Sequence, residues 1–559
     1  MDTQRVLLML GLAVTSYMLI LAWNKDYYQN PVVTSSESVN SVKTSPPNDM
    51  LPTISNAELA STPGIVPLLE GVNTKPTVAI PQQARSLVTV TTDVLVVKID
   101  TLGGDIFSVA LPKFPEKLET PDVPYILVNP KNSYVAQSGL IGPNGTDKEG
   151  FRPTFIAESS SFQMNDAPEL TVTLTSIQED GSKILKSYRF TKGEYLVEVD
   201  YQITNLGSDF WKGALFAQIK RDSQSPVSSS DNLMGMQPYV GGATRSGDEF
   251  YKKLEFDDIE DEAYKLTIDE GYIAMVQHYF VSAWVPREPI GNTYRGRKLA
   301  GQDVYLFGLT TSPITVAPGE TQSIGASFYA GPKDQYKLEK IATGLELTVD
   351  YGFLWWLAQP LFFMLTGIHS FVGNWGLAII GLTIIVKTFL YPLSAASFRS
   401  MAKMRKLQPE MVRLKDRFGD DRQQFSQAMM ELYKKEGANP LGGCLPILLQ
   451  MPVFLALYWT LMESVELRQA PFFLWIYDLS AMDPYFILPI LMGISMFLTQ
   501  RMQPEPPDPI QAKVFKFMPI MFTFFFLWFP SGLVLYWLVN NILSILQQLY
   551  VTRQLEKVS

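Results

Sequence analysis

The stretch LAIIGLTIIVKTFLYPLS, Leu377–Ser394, opens with ten residues suited to a lipid-facing helix and then places a lysine, Lys387. A charged side chain near the centre of a membrane span costs roughly 3 kcal/mol on insertion scales. Lys387 follows Trp375 by 12 residues, about 18 Å at the helical rise, and precedes Leu393 by six, about 9 Å. Two readings are open. Its long stem can carry the ammonium to the nearer head groups, or the ammonium can face a water-containing cavity between helices. Thr383 and Tyr391 stand four residues to either side, a spacing that puts all three on one helical face.

Other apolar spans carry polar residues too. Gln450 lies within Leu441–Met462. After Trp537, the residues Asn540, Asn541, Ser544, Gln547 and Gln548 fall at offsets 3, 4, 7, 10 and 11, one stripe of a helix. Three spans with polar faces favour a wet cavity over a dry bundle. The plainer readings are an interhelical hydrogen bond for Gln450 and ordinary aromatic surface for Trp537.

The membrane pattern extends outward from there. Apolar spans are read at Trp375–Leu393, Leu441–Met462, Tyr485–Thr499, Phe515–Phe529 and Gly532–Leu546, the last two separated only by the turn PSG. Upstream, Asp350–Ile368 gathers Tyr351, Trp355 and Trp356 and is interrupted by Pro360, which predicts an interfacial helix over 347–368, with an additional span as the alternative. At the N-terminus Val6–Trp23 is apolar and long enough to span, and it ends in ILAWNKDYY, a poor cleavage site. Residues 1–23 therefore read as an uncleaved anchor.

Charge sets the topology. The segment Arg399–Pro440 holds ten basic residues, among them Arg399, Lys403, Arg405, Lys406 and Arg413, against six acidic ones. The next loop, Glu463–Pro484, has Arg468 alone against Glu463, Glu466, Asp478 and Asp483. Lys/Arg excess marks the cytoplasmic side. The expectation is six spans with both termini cytoplasmic. Within the basic segment Met404, Leu407, Met411 and Leu414, then Phe425, Met429 and Leu432, recur at helical spacing around Gly419-Asp420-Asp421. That predicts a cytoplasmic helical hairpin over 399–440. Its basic surface suits lipid head groups, a ribosome or an acidic substrate segment, and a merely solvated hairpin reads equally well.

Between anchor and core the texture changes. Residues 24–62 are rich in Ser, Thr, Asn and Pro and read as a disordered tether. Within 63–346, YLVEVDYQIT (Tyr195–Thr204), LTVTLTSI (Leu170–Ile177) and DVLVVKID (Asp93–Asp100) alternate with period two. These are antiparallel strands with one wet face, enough of them for a large all-β sandwich outside the cytoplasm. His278 sits among apolar and aromatic neighbours, and the carboxylates of Phe256–Glu270 have no evident pairing, so neither reads as catalytic or metal-binding. Two histidines and one cysteine, Cys444, leave little for imidazole chemistry and no intramolecular disulfide. The net charge of −9 argues against a nucleic-acid partner. No cofactor or metal motif is present in the sequence.

The stretches MAKMRKLQPEM, NPLGGCLPILLQMPVFLALYW, SVELRQAPFFLWIYDLSAMDPYFILPILMG and FFFLWFPSGLVLYWLVNN closely resemble the YidC/Oxa/Alb family of membrane insertases. The anchor and large outer domain resemble its Gram-negative form. The resemblance implies a five-helix insertase core (residues 369–559) around a hydrophilic groove, closed toward the periplasm, and a periplasmic β-supersandwich not credited with enzymatic activity. It makes Lys387 the groove cation, where the family usually has arginine. It assigns Thr383 and Gln450 to the groove and Trp537, standing where tyrosine is usual, to a hydrophobic slide. The polar faces of the spans add Tyr391, Asn540, Asn541 and Ser544 to the groove, and Trp528 is placed with Trp537 on the slide. The implied partners are nascent inner-membrane proteins, the Sec translocon, a ribosome reached through the basic hairpin, and anionic lipids, with a monomer as the working unit. The C-tail YVTRQLEKVS is short for a ribosome-binding tail. Two other readings remain: a transporter or channel, for which Pro446 and Pro452 break a span but no internal repeat is seen, and a membrane-anchored glycan-binding protein.

Overall fold

The computed structural model describes residues 86–558 except 149–150, 179–180, 227–237, 289–290, 419–420, 437–440 and 504–508. The expected anchor (1–23), tether (24–62) and first residues of the outer domain lie outside the described residues.

Residues from Leu87 to Pro332 form two sheets, of eleven and nine strands, antiparallel except where Leu87–Thr91 pairs with Ser161–Gln163. The alternation at Tyr195–Thr204 becomes the strand Leu196–Thr204, with Val197, Val199, Tyr201 and Ile203 buried. It is held between Lys183–Thr191 and Thr321–Pro332 in the nine-stranded sheet. The pattern at Asp93–Asp100 makes a shorter strand, Val96–Asp100. Thr92 Oγ1 accepts from the amides of Val94 and Leu95, so those residues are committed to a turn instead of the ladder. The buried faces of both sheets merge into one core, in which Trp284 Nε1 donates to the Gln218 carbonyl and Ser138 pairs with the Tyr201 hydroxyl.

The core helices are α1 (Trp355–Val372), α2 (Trp375–Phe389), α3 (Tyr391–Phe418), α4 (Arg422–Lys435), α5 (Leu441–Glu463), α6 (Ile487–Arg501), α7 (Pro509–Phe525) and α8 (Ser531–Val558). α8 packs against α2, α3 and α6, and α1 against α2 and α5. By length and hydropathy Ser531–Leu555 can cross a bilayer alone, and α2 with α3 pass as a pair bent by 67°.

That bend corrects the first sequence reading. Proline lacks an amide proton and its ring clashes with the carbonyl four residues back, and it disfavours helix at the preceding residue. Pro392 therefore ends α2 at Phe389 and starts a new helix at Tyr391. Tyr391 is not on the Lys387 face. It packs instead beside the small cluster Ala395, Phe398, Met401, Met404 and Val551. The hairpin's first arm likewise begins at Tyr391 and not at Arg399, and Asp421 caps the second arm by accepting from the amides of Gln423 and Gln424.

The β domain and helical core are joined through buried polar contacts. Lys333, at the end of the last strand, pairs with Glu463 at the end of α5, and both side chains are almost fully buried. His278 bonds to the Met462 carbonyl at 2.8 Å. Burial holds the imidazole neutral by pushing its pKa down to about 3, so Nε2 keeps the single proton it donates there. Arg468 donates to the Pro115 carbonyl at 2.7 Å and lies over the rings of Tyr125 and Phe280. Val465 enters the β-domain core itself.

Breaking a buried pair by removing one partner costs about 3–5 kcal/mol, far more than removing both. Lys333→Met is therefore expected to lower the thermal midpoint in detergent strongly, and Lys333→Met/Glu463→Leu to recover most of it. A double variant no more stable than the single one means the pair is not uncompensated when halved.

Candidate functional site

The cavity begins with Lys387. Its residue is 7% exposed, and Nζ donates to Ser544 Oγ on α8 at 2.7 Å. Ser544 Oγ donates to the Asn540 carbonyl one turn back, at 2.7 Å. Asn540 Oδ1 accepts from Gln450 Nε2 on α5. The polar residues of three helices thus form one chain of hydrogen bonds, which is how such groups are tolerated at membrane depth. Around them lies a cavity of about 540 Å³.

The cavity has two characters. Its polar end holds Lys387, Ser394, Gln450, Asn540 and Ser544, with Thr499, Gln500 and Gln503 beside them. Its apolar end is aromatic: Phe454, Tyr458, Phe522, Phe525, Phe526, Phe529 and Trp537. Trp537 stands edge-on to Phe454 at 4.7 Å and close to Phe526 at 5.4 Å. α6 and α7 close in tightly because Gly493 has no side chain; a Cβ there would come within 1.9 Å of Thr523 Oγ1. No acidic residue lines the cavity among the described residues, so the ammonium's partner inside it is a neutral hydroxyl.

Not every expected residue arrives. Asn541 lines the cavity but turns its amide to Ser495 on α6, at 3.0 Å. Thr383 is buried and donates to the Ile379 carbonyl within its own helix, away from the cavity lining. Trp528 also falls outside the lining and packs edge-on against Phe524 at 4.9 Å. Gln547 and Gln548 reach the backbone carbonyls of Lys387 and Met502. Arg399, Lys403, Arg405, Lys406 and Arg413 are all exposed on α3. Three lining residues missed in the sequence, Ser394, Phe398 and Met401, sit at the start of that helix. The signal for them was Pro392, which swings the chain back under the bundle. Among the described residues no group of His, Cys, Asp and Glu could hold a metal.

Residues 367–558 match the family described as 60Kd inner membrane protein, and residues 87–364 the YidC periplasmic domain. The chain is 49% identical over 559 residues to a membrane protein insertase YidC of Cellvibrio japonicus strain Ueda107, covering 100% of this chain and 99% of that one. The same identity and coverage hold for a YidC of Pseudomonas putida strain W619. A crystal structure of an active YidC insertase with its first transmembrane domain resolved aligns at 17% identity and TM-score 0.37, over 83% of this chain and 92% of that one.

The geometry separates Ser544 from Thr383. In a Cys444→Ser background, Ser544→Cys is expected to react with a water-soluble maleimide at least about tenfold faster than Thr383→Cys, because only the former lines the cavity. Equal rates would remove the distinction between cavity wall and helix interior.

Proposed function

The chain belongs to the YidC family of membrane protein insertases, and we propose that it inserts its substrates through the cavity around Lys387. It is an insertase of the inner membrane with a periplasmic β-rich domain and a helical core. The working model adds six spans, counting Val6–Trp23, with both termini cytoplasmic and α1 lying in the outer interface.

What supports the cavity as the working site is that, among the described residues, Lys387 is its single cation, held by a neutral partner and facing no carboxylate. An ammonium and a carboxylate 4 Å apart attract by about 1 kcal/mol in water but about 4 kcal/mol at an effective dielectric near 20. An acidic flank of a nascent membrane protein therefore gains by entering, displacing the Ser544 hydroxyl. The aromatic end takes the neighbouring apolar segment, and Phe525, itself partly exposed, opens that wall toward lipid. No covalent step is needed. The substrate moves because the cavity lowers the cost of carrying a polar flank part-way across hydrocarbon. The exposed cations of α3 offer a landing surface for anionic lipids or a ribosome, and the protein works alone or with the Sec translocon.

In proteoliposomes, Lys387→Ala is expected to slow insertion of a substrate with an acidic flank about tenfold, the equivalent of about 1.4 kcal/mol. Lys387→Glu should slow it further and Lys387→Arg should retain activity. A substrate with a neutral flank should be nearly indifferent. Equal rates for Lys387→Glu and the unaltered protein with the acidic substrate would end the electrostatic reading.

A further inference from the structure

The strap that joins α5 to α6, Arg468–Phe486, is turned inside out for a loop in water. Its charged groups are committed inward. Asp478 accepts from the amides of Gln469 and Ser480. Asp483, buried, accepts from Trp475 Nε1 at 3.0 Å and from the Leu488 amide at 2.7 Å. Arg468 is spent on the β domain. Meanwhile Phe473 is 52% and Leu474 81% exposed, with Tyr477 beside them also exposed.

The strap is tied down by backbone hydrogen bonds on both sides of its tip, so this exposure is not a loose end turned outward by chance. Leu479 donates to the Ala470 carbonyl, and the Ser531 and Gly532 amides donate to Ala481 and Leu479. Phe472 is seated where a Cβ on Gly376 would come within 2.0 Å of its ring. Leu474 also holds a left-handed backbone, φ 59°, where glycine or asparagine avoids the steric cost. A chain that pays that cost to expose a leucine to water gains nothing by it. The strap is continuous with surfaces that face hydrocarbon: Phe472 and Pro471 meet the start of α2 through Asn374, next to the exposed Phe371 at the end of α1.

We infer that the strap Arg468–Phe486 is an interfacial wedge whose tip, Phe473-Leu474, lies in the acyl region of the leaflet on the β-domain side. Its partner is lipid. The wedge displaces head groups on the β-domain side of the bundle and fixes the depth at which the β domain rides on the membrane. This inference rests on the six-span reading, and the test separates the two.

Single cysteines are placed by Leu474→Cys, Leu546→Cys and Ile177→Cys in a Cys444→Ser background and carry an environment-sensitive dye. The full chain is reconstituted into phosphatidylcholine and phosphatidylglycerol vesicles. Leu546 is exposed on α8 and reports on the span; Ile177 is exposed on the β domain and reports on water. The expected result is that shallow spin-labelled phosphatidylcholine quenches the dye at 474 at least about threefold more than at 177, while iodide does the reverse. If 546 is quenched by lipid but 474 by iodide, the wedge is wrong and the spans stand. If 474 escapes both quenchers, protein covers it and the wedge is wrong. If 546 itself escapes lipid, the span reading falls and takes the wedge with it.

Discussion

An ammonium in the last turn of an apolar helix can meet lipid, water or a polar side chain, and only the last two are tolerable. Lys387 meets Ser544, and that contact draws α2 and α8 together at one depth. Asn540 and Gln450 extend the same line to α5, so the positions of three helices are set by one polar relay. A bundle packed only through apolar surface can slide in lipid with little change in energy, because acyl chains are as apolar as leucine. Here sliding unmakes hydrogen bonds that nothing in the bilayer replaces. The cavity lies beside that relay, with Phe454, Phe526 and Trp537 packed together in its aromatic wall.

Lys387, Gln450, Asn540 and Ser544 were legible in the sequence because a polar residue inside an apolar run has few explanations. Thr383 was misread for a simple reason. A four-residue spacing says that two side chains share a face, but a threonine can satisfy its hydroxyl on the carbonyl of its own helix and need not face a cavity. Tyr391 was misread because helical spacing was carried across Pro392. The period-two strands were visible where one face is wet, as at Leu196–Thr204, and their ends shifted where a turn captured the backbone, as at Thr92. The junction of the two domains left no trace. Lys333 and Glu463 are 130 positions apart and His278 and Met462 are 184 apart, and neither pair has a local signature.

That junction changes how the β domain is understood. It is not a bead on a string, since Val465 sits within its hydrophobic core while α5, which ends at Glu463, forms a wall of the cavity. The extracytoplasmic end of the α5 wall is thereby fixed by a domain outside the bilayer. Its other wall residues, Phe454 and Tyr458, belong to the same rigid segment.

The 67° corner at Leu390 makes α3 a lever. A helix of 28 residues is about 42 Å long, so a tilt of about 10° about its first residue carries the far end through about 7 Å but moves Ser394 by only about 1 Å. The long arm is the exposed basic face, and the short arm holds Ser394, Phe398 and Met401 against the cavity. Such an arm trades distance for force: a weak, wide movement at the tip arrives at the cavity as a small and firm one. In such a geometry a wide swing at the far tip corresponds to a small displacement beside Ser394.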